Sequence, residues 1–123
     1  MTATILLVDD DEQLRTMLSV VLRRAGYAVR VAIDGIEASN FYRSHPTDLI
    51  ITDLIMPEKE GLEMIRELRK DYPQARIIAM SGGGRTGTMN CLEVARAFGA
   101  QQVLEKPFPH QEMLEAIRRV LGE

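Results

Sequence analysis

Cysteine is all but missing from these 123 residues: Cys91 stands alone. No intrachain disulfide can form, and a lone thiol, read as a small half-buried residue on a helix, carries no chemistry. Long apolar runs are missing too. No stretch approaches the length of a membrane span, and Met1-Thr2-Ala3-Thr4 leads into only four strongly apolar residues before three aspartates, which does not read as a secretory h-region, so no leader is expected. There is no dense basic run. The arginines are scattered (Arg23-Arg24, Arg66, Arg69, Arg118-Arg119) and the net charge is −3, so neither nucleic acid nor a membrane is an expected partner. Linkers, repeats and low-complexity tracts are absent as well. What is present, 46% hydrophobic and 27% charged residues, is the balance of a soluble globular domain with a real core, expected in the cytoplasm.

Short apolar runs alternate with amphipathic stretches five times. Ile5-Leu6-Leu7-Val8, Leu49-Ile50-Ile51 and Ile77-Ile78-Ala79-Met80 are almost unbroken, as in parallel strands covered on both faces. Residues 27–32 alternate instead, with Tyr27, Val29 and Val31 set against Ala28, Arg30 and Ala32, which predicts a less buried edge strand. Leu14, Met17, Leu18, Val21 and Leu22 recur at helical spacing, predicting a helix over 12–25 with one buried stripe, closed by a left-handed Gly26. Further helices are predicted near 35–45, 60–72, 88–98 and 110–121. Gly99 closes the fourth, and Met113, Leu114, Ile117, Val120 and Leu121 share one face of the last. Five βα units with such short connections wind right-handed. The expected class is α/β, a five-stranded parallel sheet in flavodoxin-like order 2-1-3-4-5 with five helices on both faces. One domain over residues 1–123, without an output domain, is expected.

Each apolar run ends in a polar group: Asp9, Asp10 and Asp11 after the first, Asp53 after Thr52, Ser81 after Met80, Lys106 after Glu105. If the runs are parallel strands, these groups share the sheet edge where open α/β sheets bind ligands. Each has a plain structural reading. An acid before a helix caps it, and Asp10-Asp11-Glu12-Gln13 resembles a capping box. Asp53 could start the turn through Leu54-Ile55-Met56-Pro57, Lys106 could be solvated although Pro107 restricts it, and Ser81 alone says almost nothing. A cap uses one carboxylate, however. Two carboxylates 4 Å apart repel by about 4 kcal/mol at an effective dielectric near 20. Adding Asp53 favours a cation in the pocket. Oxygen ligands without His or Cys suit Mg²⁺ or Mn²⁺ and argue against zinc.

Leu7-Val8-Asp9-Asp10, then Asp53-Leu54-Ile55-Met56-Pro57 with Gly61, then Ser81-Gly82, then Lys106-Pro107-Phe108 resemble the receiver domain of two-component response regulators across the whole chain. The resemblance implies that Asp53 accepts a phosphoryl group from a histidine kinase or a histidine phosphotransfer protein. It also implies Mg²⁺ held by Asp10, Asp53 and the Ile55 backbone carbonyl, with Asp9 assisting through water. Lys106 and the Ser81 hydroxyl would each meet a phosphoryl oxygen. Such a domain assists its own phosphorylation and dephosphorylation without being an enzyme, and acts on a downstream effector protein in trans.

Two departures from the pattern bear on switching. Val103 stands where receivers often carry an aromatic residue, so readout through the fourth helix, fifth strand and fifth helix is put in question. The segment Ser81-Gly82-Gly83-Gly84-Arg85-Thr86-Gly87 holds four glycines in six positions, about three residues longer than usual. Its ordering entropy predicts a mobile loop that takes over the switching role and gains order with a phosphoryl mimic. Rival readings remain. Gly82-x-Gly84-x-x-Gly87 with Glu105 outlines a dinucleotide fingerprint, though on the fourth strand, and Thr88-Met89 exclude a P-loop. Asp9-x-Asp11 resembles haloacid-dehalogenase-type phosphatases, which attack with the first aspartate. A receiver-like interaction module acting without phosphorylation is the third.

Overall fold

The structure, a computed structural model, describes residues 2–54, 61–81 and 91–123, without the side chains of Cys91, Leu92, Val94 and Phe98. The alternating pattern becomes ten elements: β1 (Thr4–Val8), α1 (Glu12–Arg24), β2 (Ala28–Ala32), α2 (Gly35–Ser44), β3 (Leu49–Asp53), α3 (Gly61–Asp71), β4 (Ile77–Ser81), α4 (Cys91–Phe98), β5 (Gln102–Glu105) and α5 (His110–Leu121). The strands form one parallel sheet in the expected order, β2-β1-β3-β4-β5. Among the described residues, no helix is long and apolar enough to cross a membrane.

Successive strand side chains point to opposite faces, and in β1, β3 and β4 both faces are buried. Ile5, Leu7, Leu49, Ile51, Ile78 and Met80 pack against Leu18 and Leu22 of α1 and Met113, Ala116 and Ile117 of α5. Leu6, Val8, Ile50, Ile77 and Ala79 pack on the other face against Ala38 and Tyr42 of α2, Met64, Ile65 and Leu68 of α3, and Ala95 of α4. Two helices on one face and three on the other explain why these runs lack polar alternation.

Helix ends follow local chemistry. Ala25 caps α1, and Gly26 beyond it takes φ 102°, the left-handed value that stops the helix. Gly99 (φ 123°) follows α4 in the same way. Helices α1, α2 and α3 each end one residue before the spacing predicts, α5 has the expected bounds, and residues 60 and 88–90, assigned above to the third and fourth helices, lie outside the described residues.

Two expectations are corrected. Met17 does not belong to the buried stripe of α1: it is 45% exposed, and Ser19 is buried beside Leu18. The stripe that α1 lays on the sheet is narrower than the run of apolar residues. Strand β2 is an edge strand as expected, but its alternation does not decide burial. Val31 is 47% exposed, whereas Ala32, assigned to the polar set, is fully buried. An edge strand has a neighbour on one side only, so Val31 at its open end is uncovered. Ala32, on the opposite face, lies in the cluster built on α2 and α3.

Candidate functional site

The sheet register places the polar strand ends side by side. Val8 pairs with Thr52, so Asp9 emerges next to Asp53, and Asp53 pairs with Met80, so Ser81 follows on the neighbouring strand. The Lys106 amide donates to the Ser81 carbonyl at 2.6 Å, which brings the last of the sequence-picked residues to the same edge. Asp9, Asp53 and Ser81 are buried, Asp10 is exposed and Lys106 is half-buried. One carboxylate oxygen each from Asp9, Asp10 and Asp53 lie within 4.8 Å of one another.

Two of the three acids after β1 are committed to backbone. Asp11 is the N-cap of α1, its Oδ1 accepting from the amides of Gln13 (3.0 Å) and Leu14 (3.2 Å). The cap is therefore Asp11 itself, and Leu14 occupies the position where a capping box needs Glu or Gln. Asp9 Oδ1 accepts from the Asp11 amide at 2.9 Å, so Asp9 is fastened to the turn that launches the helix. Its other oxygen, Oδ2, accepts from the Lys106 ammonium, also at 2.9 Å. Asp10 is exposed to solvent.

Lys106 Nζ lies 2.9 Å from Asp9 Oδ2 and 3.4 Å from Asp53 Oδ1, so one ammonium bridges two buried carboxylates. Burial pushes the Asp53 carboxyl above its usual range. The Lys106 charge opposes that shift, and the neighbouring Asp9 charge adds to it. For Lys106, burial alone would lower the pKa, but the hydrogen bond to Asp9 and the charges of Asp53 and Asp9 outweigh it and raise the value. The cluster of three acids and one base is net negative and partly dry, with oxygen donors only. A small hard cation fits it.

Three contributors escape the sequence reading. Arg15 Nη1 donates to the Asp9 carbonyl at 2.8 Å, holding the loop after β1 from one turn up the helix, and nothing local in the sequence points to it. Thr52 Oγ1, fully buried, donates to the Asp53 carbonyl at 2.8 Å; a polar residue inside an apolar run was the available signal. Gly61, noted above only as part of a motif, gains a reason. Its amide donates to the Leu54 carbonyl at 2.9 Å, and a Cβ there would fall on the Asp53 carbonyl oxygen. Only glycine lets α3 start this close to the end of β3.

The remaining sequence-picked positions divide. Val103 is half-buried on β5, packed against the cluster that includes Ala79, its partner in the register. Pro107 is exposed, joined to Lys106 by a cis peptide bond, and Phe108 packs on the opposite cluster. Ile55 and Pro57, and the loop glycines Gly82, Gly83, Gly84 and Gly87, lie outside the described residues, as does the Cys91 side chain.

Comparison with known proteins places this geometry. The family model described as the response regulator receiver domain matches residues 5–118. The DNA-binding transcriptional regulator NtrC of Azospirillum brasilense is 37% identical over 120 residues, covering 98% of this chain and 24% of that protein. The chain thus spans about a quarter of the length of such relatives. The chemotaxis protein CheY of Thermotoga maritima is 35% identical over 117 residues, covering 94% of this chain and 95% of that protein. A putative response regulator from Chloroflexus aurantiacus superposes with a TM-score of 0.91 at 30% identity, covering all of both chains.

Proposed function

The chain belongs to the response regulator receiver family, and we propose that within it Asp53 accepts a phosphoryl group in a Mg²⁺-dependent reaction. The observation that carries this reading is the Lys106 ammonium set between Asp9 and Asp53 at the end of the central strands. Both oxygens of Asp9 are engaged, one by a backbone amide and one by Lys106. Asp53, at the end of β3 beside the same ammonium, is the carboxylate we assign as nucleophile in place of Asp9.

Asp9, Asp10 and Asp53 are the residues that would hold Mg²⁺ (or Mn²⁺), completed by the Ile55 carbonyl. Bound there, the ion would supply positive charge to the phosphoryl oxygens during in-line transfer. The chain's own residues do the rest. An Asp53 oxygen attacks phosphorus while the nitrogen of a donor phosphohistidine leaves. Lys106, already beside Asp53, supplies a positive charge to a phosphoryl oxygen with little reorganisation. Ser81, buried one residue beyond Asp53's register partner, offers its hydroxyl to another. Phosphorylation adds nearly two negative charges next to Lys106 and biases the loops after β4 and β5 between two arrangements. The phosphoryl donor is a sensor histidine kinase or a histidine phosphotransfer protein, the recipient of the signal is an effector protein, and the setting is the cytoplasm.

Incubation with acetyl phosphate and Mg²⁺, followed by intact-mass measurement, is expected to add one phosphoryl group to the wild-type chain and none to Asp53→Asn. Label persisting in Asp53→Asn removes Asp53 from the acceptor role. An unlabelled wild type favours an interaction module that works without phosphorylation.

A further inference from the structure

The five exposed large apolar side chains among the described residues, Met17, Val20, Val31, Ile33 and Ile36, all come from α1, β2, the connection after β2 and the start of α2. These elements flank one edge of the sheet. The hydrogen-bond pattern says which backbone groups that edge presents. The Ala28 amide donates to the Ala3 carbonyl at 2.9 Å and the Ala32 carbonyl accepts from the Asp9 amide at 3.2 Å, so residues 28, 30 and 32 face β1. Val29 and Val31, between them, aim their N–H and C=O groups away from the sheet. An uncovered edge of this kind is a template for another strand.

Its two ends are occupied by side chains of opposite charge. The Val29 carbonyl accepts from Arg23 Nη2 in a long hydrogen bond of 3.5 Å. The Ile33 amide donates to Glu37 Oε1 at 3.0 Å. Between these plugs, the ladder register turns the Val31 N–H and C=O away from β1, no described residue outside the sheet bonds them, and the side chain is exposed.

We propose that β2 pairs antiparallel with β2 of a second copy of this chain, about a two-fold axis at Val31. The pattern is self-complementary. With Val31 opposite its own counterpart, Val29 lies opposite Ile33, Arg30 opposite Ala32, and Ala28 opposite Asp34, so no like charges face each other. The Val29 carbonyl then takes the Ile33 amide of the second copy, which displaces Arg23 from one chain and Glu37 from the other. The two released side chains stand at the same end and pair across the interface. Val31 and Ile33 are covered, and the product is one ten-stranded sheet with an isologous contact.

Sedimentation equilibrium of the unphosphorylated chain, from about 1 μM to about 1 mM, tests the pairing. It needs no phosphoryl donor, so its outcome is separate from that of the acceptor reading. The wild type is expected to dimerise in this range. Val31→Glu, and Arg23→Glu or Glu37→Arg singly, should weaken association about tenfold or more, which is about 1.4 kcal/mol. The Arg23→Glu/Glu37→Arg double variant should recover it, since the swap restores the cross-chain pair but not the plugs within each chain. Thermal melts check that each variant folds, and amide exchange at Val31 in the wild type should slow as concentration rises. A wild type monomeric throughout, a dimer indifferent to Val31→Glu, or a double variant no tighter than the single ones overturns the proposal. So does a monomer whose Val31→Glu variant loses phosphorylation by a histidine kinase, which assigns the apolar patch to that partner.

Discussion

Asp53 is 8% exposed beside a second buried carboxylate, and its ionised form is held there against the cost of leaving water. Because burial raises its pKa in the folded chain, the folded state keeps the Asp53 proton to higher pH than the unfolded chain does. The cost of ionisation is therefore complete above the folded pKa and vanishes in acid, where both states are protonated. Asp53→Asn removes this cost while Asp9 keeps Lys106 paired. In metal-free buffer the variant is expected to melt a few degrees higher than wild type at neutral pH, at about 3–5 °C per kcal/mol for a chain of this size. The advantage should shrink as pH falls through the folded Asp53 pKa, and thermal melts across pH measure both. A variant less stable at neutral pH refutes the balance proposed for this carboxylate. At Gly61 the constraint is steric. Gly61→Ala drives a methyl into the Asp53 carbonyl, and a loss of about 2 kcal/mol or more is expected in urea unfolding, together with slower phosphorylation because the acceptor strand must shift.

At the scale of the element, α2 carries a testable imperfection. Ser39 is buried on its sheet-facing side with a hydroxyl that has no hydrogen-bond partner among the described residues. An unpaired buried hydroxyl costs free energy, and alanine is the better helix former. Ser39→Ala should therefore stabilise the chain by about 1 kcal/mol and leave phosphorylation unchanged; equilibrium urea unfolding decides it, and a loss of stability would mean the hydroxyl has a partner. Strand β2 shows the opposite situation. Its exposed groups are not errors of packing but are bracketed by Arg23 and Glu37, in keeping with an edge that is managed until a strand arrives.

Across the whole molecule, stability and function are linked through the sheet edge. A divalent cation held by Asp9, Asp10 and Asp53 would bind only the folded form that gathers them, and would stabilise it by mass action. Saturating Mg²⁺ at about 100 times its dissociation constant should add about 2.7 kcal/mol, seen as a higher Tm. Asp10→Asn should remove most of that gain while leaving the metal-free stability within about 0.5 kcal/mol of wild type, because Asp10 is exposed. Equal Mg²⁺ stabilisation of the two proteins would place the ion elsewhere.

Periodicity is a local property, so the amino-acid order alone was enough to set the βα alternation, the glycine stops at Gly26 and Gly99, and the list of polar strand ends. Each follows from spacing within about ten residues. The strand order rests instead on the flavodoxin-like pattern and is seen in the folded sheet. What the order could not decide involves residues brought together from far apart. Lys106 grips Asp9 across 97 positions, and Gly61 abuts the Asp53 carbonyl across a connection whose shape spacing does not reveal. Met17 and Val31 stay exposed although their spacing calls for burial, because burial depends on whether another element covers them. Which charges share a pocket, and which edge stays open, are set by how the layers stack and so are settled in the folded molecule.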